Sequence, residues 1–212
     1  MKKDNRFPLE LINIVNYLKN QEINFTKKFS DGRINASINE DELIKIIQKF
    51  NQEIIIPKSR AWFDFAIKRN EEIYPVNIKI TETTHADNLN CKLGIYYALT
   101  GIVPDFANEI SWLNYFNKLN EHKGTNKDKD YYFLIVNKQN SKDIFVNSLK
   151  GIQFLQPNGN NLPFQCKWEN NRNYIERDYI EAEEFILTTF GESIKLRSEI
   201  YLNYKKLFNK YV

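Results

Sequence analysis

The 212 residues carry 42% hydrophobic and 14% aromatic side chains and a formal net charge of only +3. That composition can bury a core and excludes a disordered chain, while so mild a charge does not by itself announce a nucleic-acid partner. No apolar run approaches the roughly 18 residues of a membrane span, and the basic opening Met1-Lys2-Lys3 leads into no apolar stretch, so a cytoplasmic protein with no membrane contact is expected.

Along the chain, residues 9–19 place Leu9, Leu11, Ile12, Val15 and Leu18 near helical spacing, with Pro8 suited to a helix start. Residues 25–29 and 33–34 flank Ser30-Asp31-Gly32, the signal of a small hairpin. Ser37-Ile38-Asn39-Glu40 fits a capping box opening a second helix, whose apolar face is Leu43, Ile44, Ile46, Ile47 and Phe50. Glu40 then has a capping duty, and Glu42 has none. Residues 53–57 suggest a short strand, and Lys58-Ser59-Arg60 is a basic connection beyond it.

Two apolar runs follow, 62–67 and 73–80, around a polar turn at 68–72. Both are short and rich in β-branched or aromatic residues, so they predict a hairpin. The stretch 81–90 is polar. Helices are predicted over 89–99, ended by Gly101, and over 104–122, followed by a hydrophilic loop at 123–130. The unbroken apolar run 131–136 reads as a strand buried on both faces. Short strands are expected at 143–149 and 151–155, an alternating strand at 163–168, and two closing helices at 179–190 and 193–211. The whole is a single α/β domain, with a core over about 30–168, a central mixed β-sheet and flanking helices. Cys91 and Cys166 stand far apart with no metal-ligand spacing, and no disulfide is expected between them.

The predicted hairpin carries Asp64, Asn77 and Lys79 inside its apolar runs. Buried charge is costly unless it is paired or bound to a metal, so three such groups on adjacent strands indicate a site. Residues two apart in a strand share a face, which aligns Asn77 with Lys79, and a turn of moderate length lays Asp64 beside them. A carboxylate and a carboxamide oxygen suit Mg²⁺, completed by water and substrate phosphate. Lys79 is placed to orient an attacking water or to steady developing negative charge.

Asp64 followed by Asn77-Ile78-Lys79 closing the next strand resembles the PD-(D/E)xK nuclease motif. Within that superfamily the order of elements is similar to type II restriction endonucleases, closest to the blunt-cutting homodimeric group. The resemblance covers roughly residues 30–168. It implies a restriction-endonuclease-like core and Mg²⁺-dependent hydrolysis of double-stranded DNA at a short palindrome, leaving 5′-phosphate ends. Asp64 would be the bridging metal ligand, Asn77 a weakened second ligand, the carbonyl of Ile78 a third, and Lys79 the water-orienting group. Phe63 stands where the motif has Pro, and Asn77 where it has an acid. Three readings of Asn77 stay open: an amide ligand, a charge made up by Glu42 from the preceding helix, or a chain inactivated at that position.

For DNA contacts the sequence offers Lys58, Ser59 and Arg60 toward phosphates, and Thr83, Thr84, His85, Asn88 and Asn90 beside the scissile strand. Asn158-Gly159-Asn160-Asn161 resembles a recognition loop of the blunt cutters. Asn and Gln pair bidentately with adenine in the major groove, which adds Asn158, Asn160, Asn161, Gln165 and, by charge, Lys167. The contrasting expectation is a non-catalytic DNA-binding or assembly protein on a degenerate nuclease fold.

Overall fold

The computed structural model describes residues 6–25, 32–51, 53–58, 61–106 and 111–212. In chain order these form α1 (Leu9–Lys19), α2 (Gly32–Phe50), β1 (Ile54–Ile55), β2 (Phe65–Arg69), β3 (Glu72–Thr81), β4 (Ala86–Leu89) and α3 (Lys92–Thr100). There follow α4 (Trp112–His122), β5 (Tyr132–Asn137), β6 (Ile144–Ser148), β7 (Gln156–Pro157), β8 (Phe164–Lys167) and α5 (Tyr179–Leu207). The result is an α/β protein with a mixed sheet in the order β1-β2-β3-β5-β6 and a small second sheet, β4-β8-β7.

β3 and β5 run parallel, and every other pair in the two sheets is antiparallel. A parallel pair needs a long crossover, which here contains β4, α3 and α4. Five of the six residues of β5 are buried, as expected of a strand covered on both faces. One face packs on α1 and α2 through Leu11, Ile14, Leu43, Ile47, Phe65 and Val76. The other packs on α3, α4, α5 and the small sheet through Ile95, Tyr115, Phe133, Phe164, Trp168 and Ile186. Cys91 and Cys166 are both free and buried on this second side. No helix among the described residues is long and apolar enough to cross a membrane.

Several boundaries depart from the sequence expectations. The hairpin proposed around Ser30 lies partly outside the described residues, but Arg33 and Ile34 belong to α2. Ser37 is therefore inside that helix and not its cap. The capping box is instead at Asp178, which accepts from the Glu181 backbone N–H while Glu181 caps the Asp178 backbone in return. α5 runs unbroken through Gly191, whose helical backbone tolerates the missing side chain at a cost of about 1 kcal/mol. α4 begins only at Trp112, because Ser111 accepts from the Asn114 N–H as its N-cap. Phe106 continues the apolar period but packs on Tyr96 and Tyr115 from outside the helix. Leu89 belongs to β4, and α3 starts after it.

Residues 151–155 are not a strand. Gly151 and Ile152 donate to the Ser148 carbonyl in a turn, and beyond them a side chain takes over: Asn171, fully buried, accepts from the Gln153 and Phe154 N–H groups and donates to the carbonyls of Phe154 and Lys167.

Candidate functional site

The β2–β3 turn is tighter than its polar sequence suggests. Arg69 pairs with Glu72, leaving only Asn70 and Glu71 between the strands, and Asn70 takes the left-handed conformation at φ 56°. Asn tolerates that region better than most residues. The turn fixes the register Phe65 to Val76, and one step beyond it the Asp64 N–H donates to the Val76 carbonyl at 2.9 Å. Register decides the site, because a slip of one residue would carry Asn77 and Lys79 to the opposite face.

Asp64 is thereby seated against the middle of β3. Its Oδ2 accepts from Asn77 Nδ2 at 2.8 Å and from the Ile78 backbone N–H at 2.6 Å. Burial pushes the Asp64 carboxyl up, while the Ile78 N–H and the Lys79 charge pull it down. Lys79 lies one pleat along from Asn77. Its Nζ donates to the Asn88 carbonyl at 3.1 Å and stands 3.8 Å from Asp87 Oδ1. Asp87 Oδ2 accepts from Trp168 Nε1 at 2.8 Å, so a buried indole fixes the carboxylate that faces the lysine. Nothing in the sequence singles out Asp87. The stretch 81–90 reads as a polar connection, and only its pairing as β4 with β8 aims Asp87 and Asn88 at Lys79.

Of the two acids on α2, Glu40 is the one whose carboxyl feels the Asp64 and Lys79 charges. Glu42 is exposed on α2. Burial, and next the Asp64 charge, push Glu40 up to about 7, with Lys79 opposing the rise and Asp41 and Asp87 adding to it. The sequence assigns Glu40 to a cap that α2 does not use. A carboxylate raised in the folded state keeps its proton longer than in the unfolded chain, so its contribution to stability falls as pH rises from 4.5 to about 7. Because the group is only half-buried, solvent screening reduces the effect, and on the order of 2 kcal/mol is expected to be lost across that window. Urea titrations should show that loss in the wild type and a flatter profile in Glu40→Gln. Equal profiles would separate Glu40 from the buried charge cluster.

A cavity of about 110 Å³ opens beside Asn77 and Lys79, with Asn90 also on its polar side and Cys91, Tyr131 and Phe133 among its apolar walls. Tyr131 is locked there by a 2.6 Å bond from its hydroxyl to the Trp62 carbonyl. Among the described residues no group of three or more His, Cys, Asp or Glu side chains is arranged to hold a metal. The oxygen donors at the hairpin itself are the Asp64 carboxylate, the Asn77 carboxamide, whose Nδ2 is turned to Asp64, and the Ile78 carbonyl, while Glu40 is coupled to Asp64 by charge from α2. Such a set fits Mg²⁺, which takes one or two protein carboxylates and keeps most of its waters.

Of the residues proposed for DNA contact, three converge. Asn158 Nδ2 donates to Asn88 Oδ1 and to Gln165 Oε1, both at 2.9 Å, and Asn88 stands opposite Gln165 across β4 and β8. Asn158 Oδ1 also accepts from the backbone N–H groups of Asn160 and Asn161, which shapes the Asn-Gly-Asn-Asn loop. α5 holds that loop from below: Asn158 N–H donates to Ser193 Oγ, and Arg197 donates to the carbonyls of Gly159 and Asn160. Asn160, Asn161, Asn90, Lys58 and Lys167 are exposed, as are Thr84 and His85, whose ring pairs with Glu82. Thr83 is buried at 4% exposure and is not a surface group. Ser59 and Arg60 lie outside the described residues. No protein-family model and no curated protein matches the sequence.

Proposed function

We propose that this chain is a Mg²⁺-dependent endonuclease of double-stranded DNA, built on a restriction-endonuclease-like core and acting in the cytoplasm at a short palindromic site. The observation that carries the reading is the seating of Asp64 across from Asn77-Ile78, with Lys79 one pleat further and the amide cluster of Asn88, Asn158 and Gln165 adjoining it. Asp64 supplies the carboxylate that would hold Mg²⁺, with the Asn77 amide and the Ile78 carbonyl beside it and Glu40, coupled to Asp64 by charge, as the second acid on offer. The bound ion would neutralise developing phosphate charge and acidify a water.

The chain's own groups do the rest. Lys79, held between the Asn88 carbonyl and Asp87, orients the attacking water and places a positive charge against the phosphorane oxygens. The water oxygen forms a bond to phosphorus as the bond to the 3′ oxygen breaks. A proton passes to that leaving oxygen, and the new end carries the 5′-phosphate. The amide cluster and the exposed Asn160 and Asn161 offer donors and acceptors suited to adenine edges. A two-fold homodimer matches a palindrome.

A second reading, a DNA-binding protein without catalysis, draws on one observation. The Asn77 amide already satisfies the Asp64 carboxylate internally, so the pair is stable with no cation between them. Asn77→Asp separates the two readings. It sets a second carboxylate where an N–H now lies 2.8 Å from Asp64 Oδ2. The metal-free variant should lose about 2 kcal/mol of stability and regain it on addition of Mg²⁺, read as a Tm that climbs with Mg²⁺ concentration. Discrete cutting by Asn77→Asp alone would mark the present chain as an inactivated form. An inert variant in both Mg²⁺ and Mn²⁺ would remove the nuclease assignment.

A further inference from the structure

α5 buries one face against the body through Ala182, Ile186, Thr189 and Ser193. The same line, at steps of three or four, continues as Leu196, Ile200, Tyr204 and Leu207. From residue 195 onward every position is exposed, so the helix leaves the body while its apolar face goes on. Tyr201, Phe208 and Tyr211 widen that face, and Tyr204 packs on Phe208 with ring centroids 5.1 Å apart. These seven side chains are between 43% and 73% exposed. Glu199 and Lys205 border that face on its two edges, Lys195 and Lys206 fall on the far side, and Lys210 lies just beyond the helix end.

We infer that the projecting half of α5 is a self-association surface, and that its occupant is the same segment of a second copy of this chain. Area supports a second copy. The seven side chains offer on the order of 800 Å² of mostly apolar surface, the share one partner contributes to a stable interface. Spacing supports a helix as the occupant, since a stripe with near-heptad steps accepts the ridge of another helix. Charge selects the orientation. A parallel pair would set Lys205, Lys206 and Lys210 against themselves, whereas an antiparallel pair brings Glu199 of each copy to the basic stretch of the other. An antiparallel pair is two-fold symmetric. Its root bears on the candidate site, because the Asn158–Asn161 loop is fastened to α5 at Ser193, Leu196 and Arg197; a Cβ on Gly159 would meet the Leu196 Cβ at 2.9 Å. On the nuclease reading, this attachment would set the spacing of two reading loops on a palindrome.

Sedimentation equilibrium of the full chain without DNA tests the surface independently of any cutting. The expected result is a species of twice 25.3 kDa at micromolar concentrations. Ile200→Glu combined with Leu207→Glu should run at 25.3 kDa with an unchanged circular dichroism spectrum. Glu199→Lys, which leaves the apolar face intact, should raise the dissociation constant about tenfold. A wild type that stays monomeric would overturn the inference, whether or not it pellets with anionic phosphatidylglycerol vesicles. So would a double variant that remains dimeric. A dimer that cuts no DNA would uphold the surface and count only against the nuclease reading.

Discussion

Asp64→Asn is expected to leave a protein that is more stable than the wild type and at least about a thousandfold slower in Mg²⁺-dependent DNA cleavage. Both effects follow from one carboxylate. Asp64 is partly buried and held above its ordinary range by that burial. Its folded form keeps a proton longer than the unfolded chain does, so stability falls as pH rises through the folded pKa. The amide introduced by the substitution carries no charge to bury and can still accept the Ile78 N–H, so the variant should gain about 1 kcal/mol at pH 8 and little at pH 4. Cleavage moves the other way, because the ligand at the centre of the oxygen set is gone. Thermal melts at the two pH values and single-turnover cleavage check the pair of effects. A variant that cuts at the wild-type rate would take Asp64 out of the chemistry, and one destabilised at pH 8 would contradict the buried-charge account.

The largest loss of stability is expected from Asn171→Ala, at about 3 kcal/mol or more. One buried side chain serves four backbone groups, at 2.9 and 2.8 Å as acceptor and 3.0 and 2.8 Å as donor. Alanine leaves two N–H and two C=O groups without that partner in a half-buried setting, where each unmet group costs about 1–3 kcal/mol before the loop relaxes or water reaches it. The bonds tie residues 153–154 to the end of β8, whose Gln165 belongs to the amide cluster. Urea denaturation measures the effect directly. A change below about 1 kcal/mol would mean that the loop finds other partners.

The central hairpin is legible in the sequence because its signals are local. Alternating apolar residues with Asp64, Asn77 and Lys79 at fixed spacing suffice to place three side chains on one face; β3 carries two of them, and Asp64 sits just before β2, which starts at Phe65 and not at residue 62. β5 announces its burial on both faces by an unbroken apolar run. What the sequence hides are partnerships between distant segments. Asp87 and Asn88 read as loop residues because four-residue β4 has no pattern of its own; its strand character comes from β8, some eighty positions later. Glu40 and Glu42 differ by half a turn or so of helix. A capping motif that fits the letters, though not the true start of α2, hides that Glu40 and not the exposed Glu42 is coupled to Asp64 by charge. The coil at 151–155 reads as a strand for the same reason: its hydrogen-bond partner, Asn171, is a side chain some twenty residues away. Gly191 suggests a helix break, yet a helix anchored by a capping box and a buried stripe passes through it.

The chemistry proposed for Asp64, Asn77 and Lys79 is tested most directly by digesting supercoiled and linear plasmid DNA side by side with the wild type, Asp64→Asn and Asn77→Asp, in Mg²⁺ and in EDTA, and sequencing the ends. The account predicts discrete fragments with 5′-phosphate ends in Mg²⁺ from the wild type or from Asn77→Asp, and none from Asp64→Asn or in EDTA. Intact DNA with every protein in both Mg²⁺ and Mn²⁺, or cutting that persists in Asp64→Asn, would contradict it.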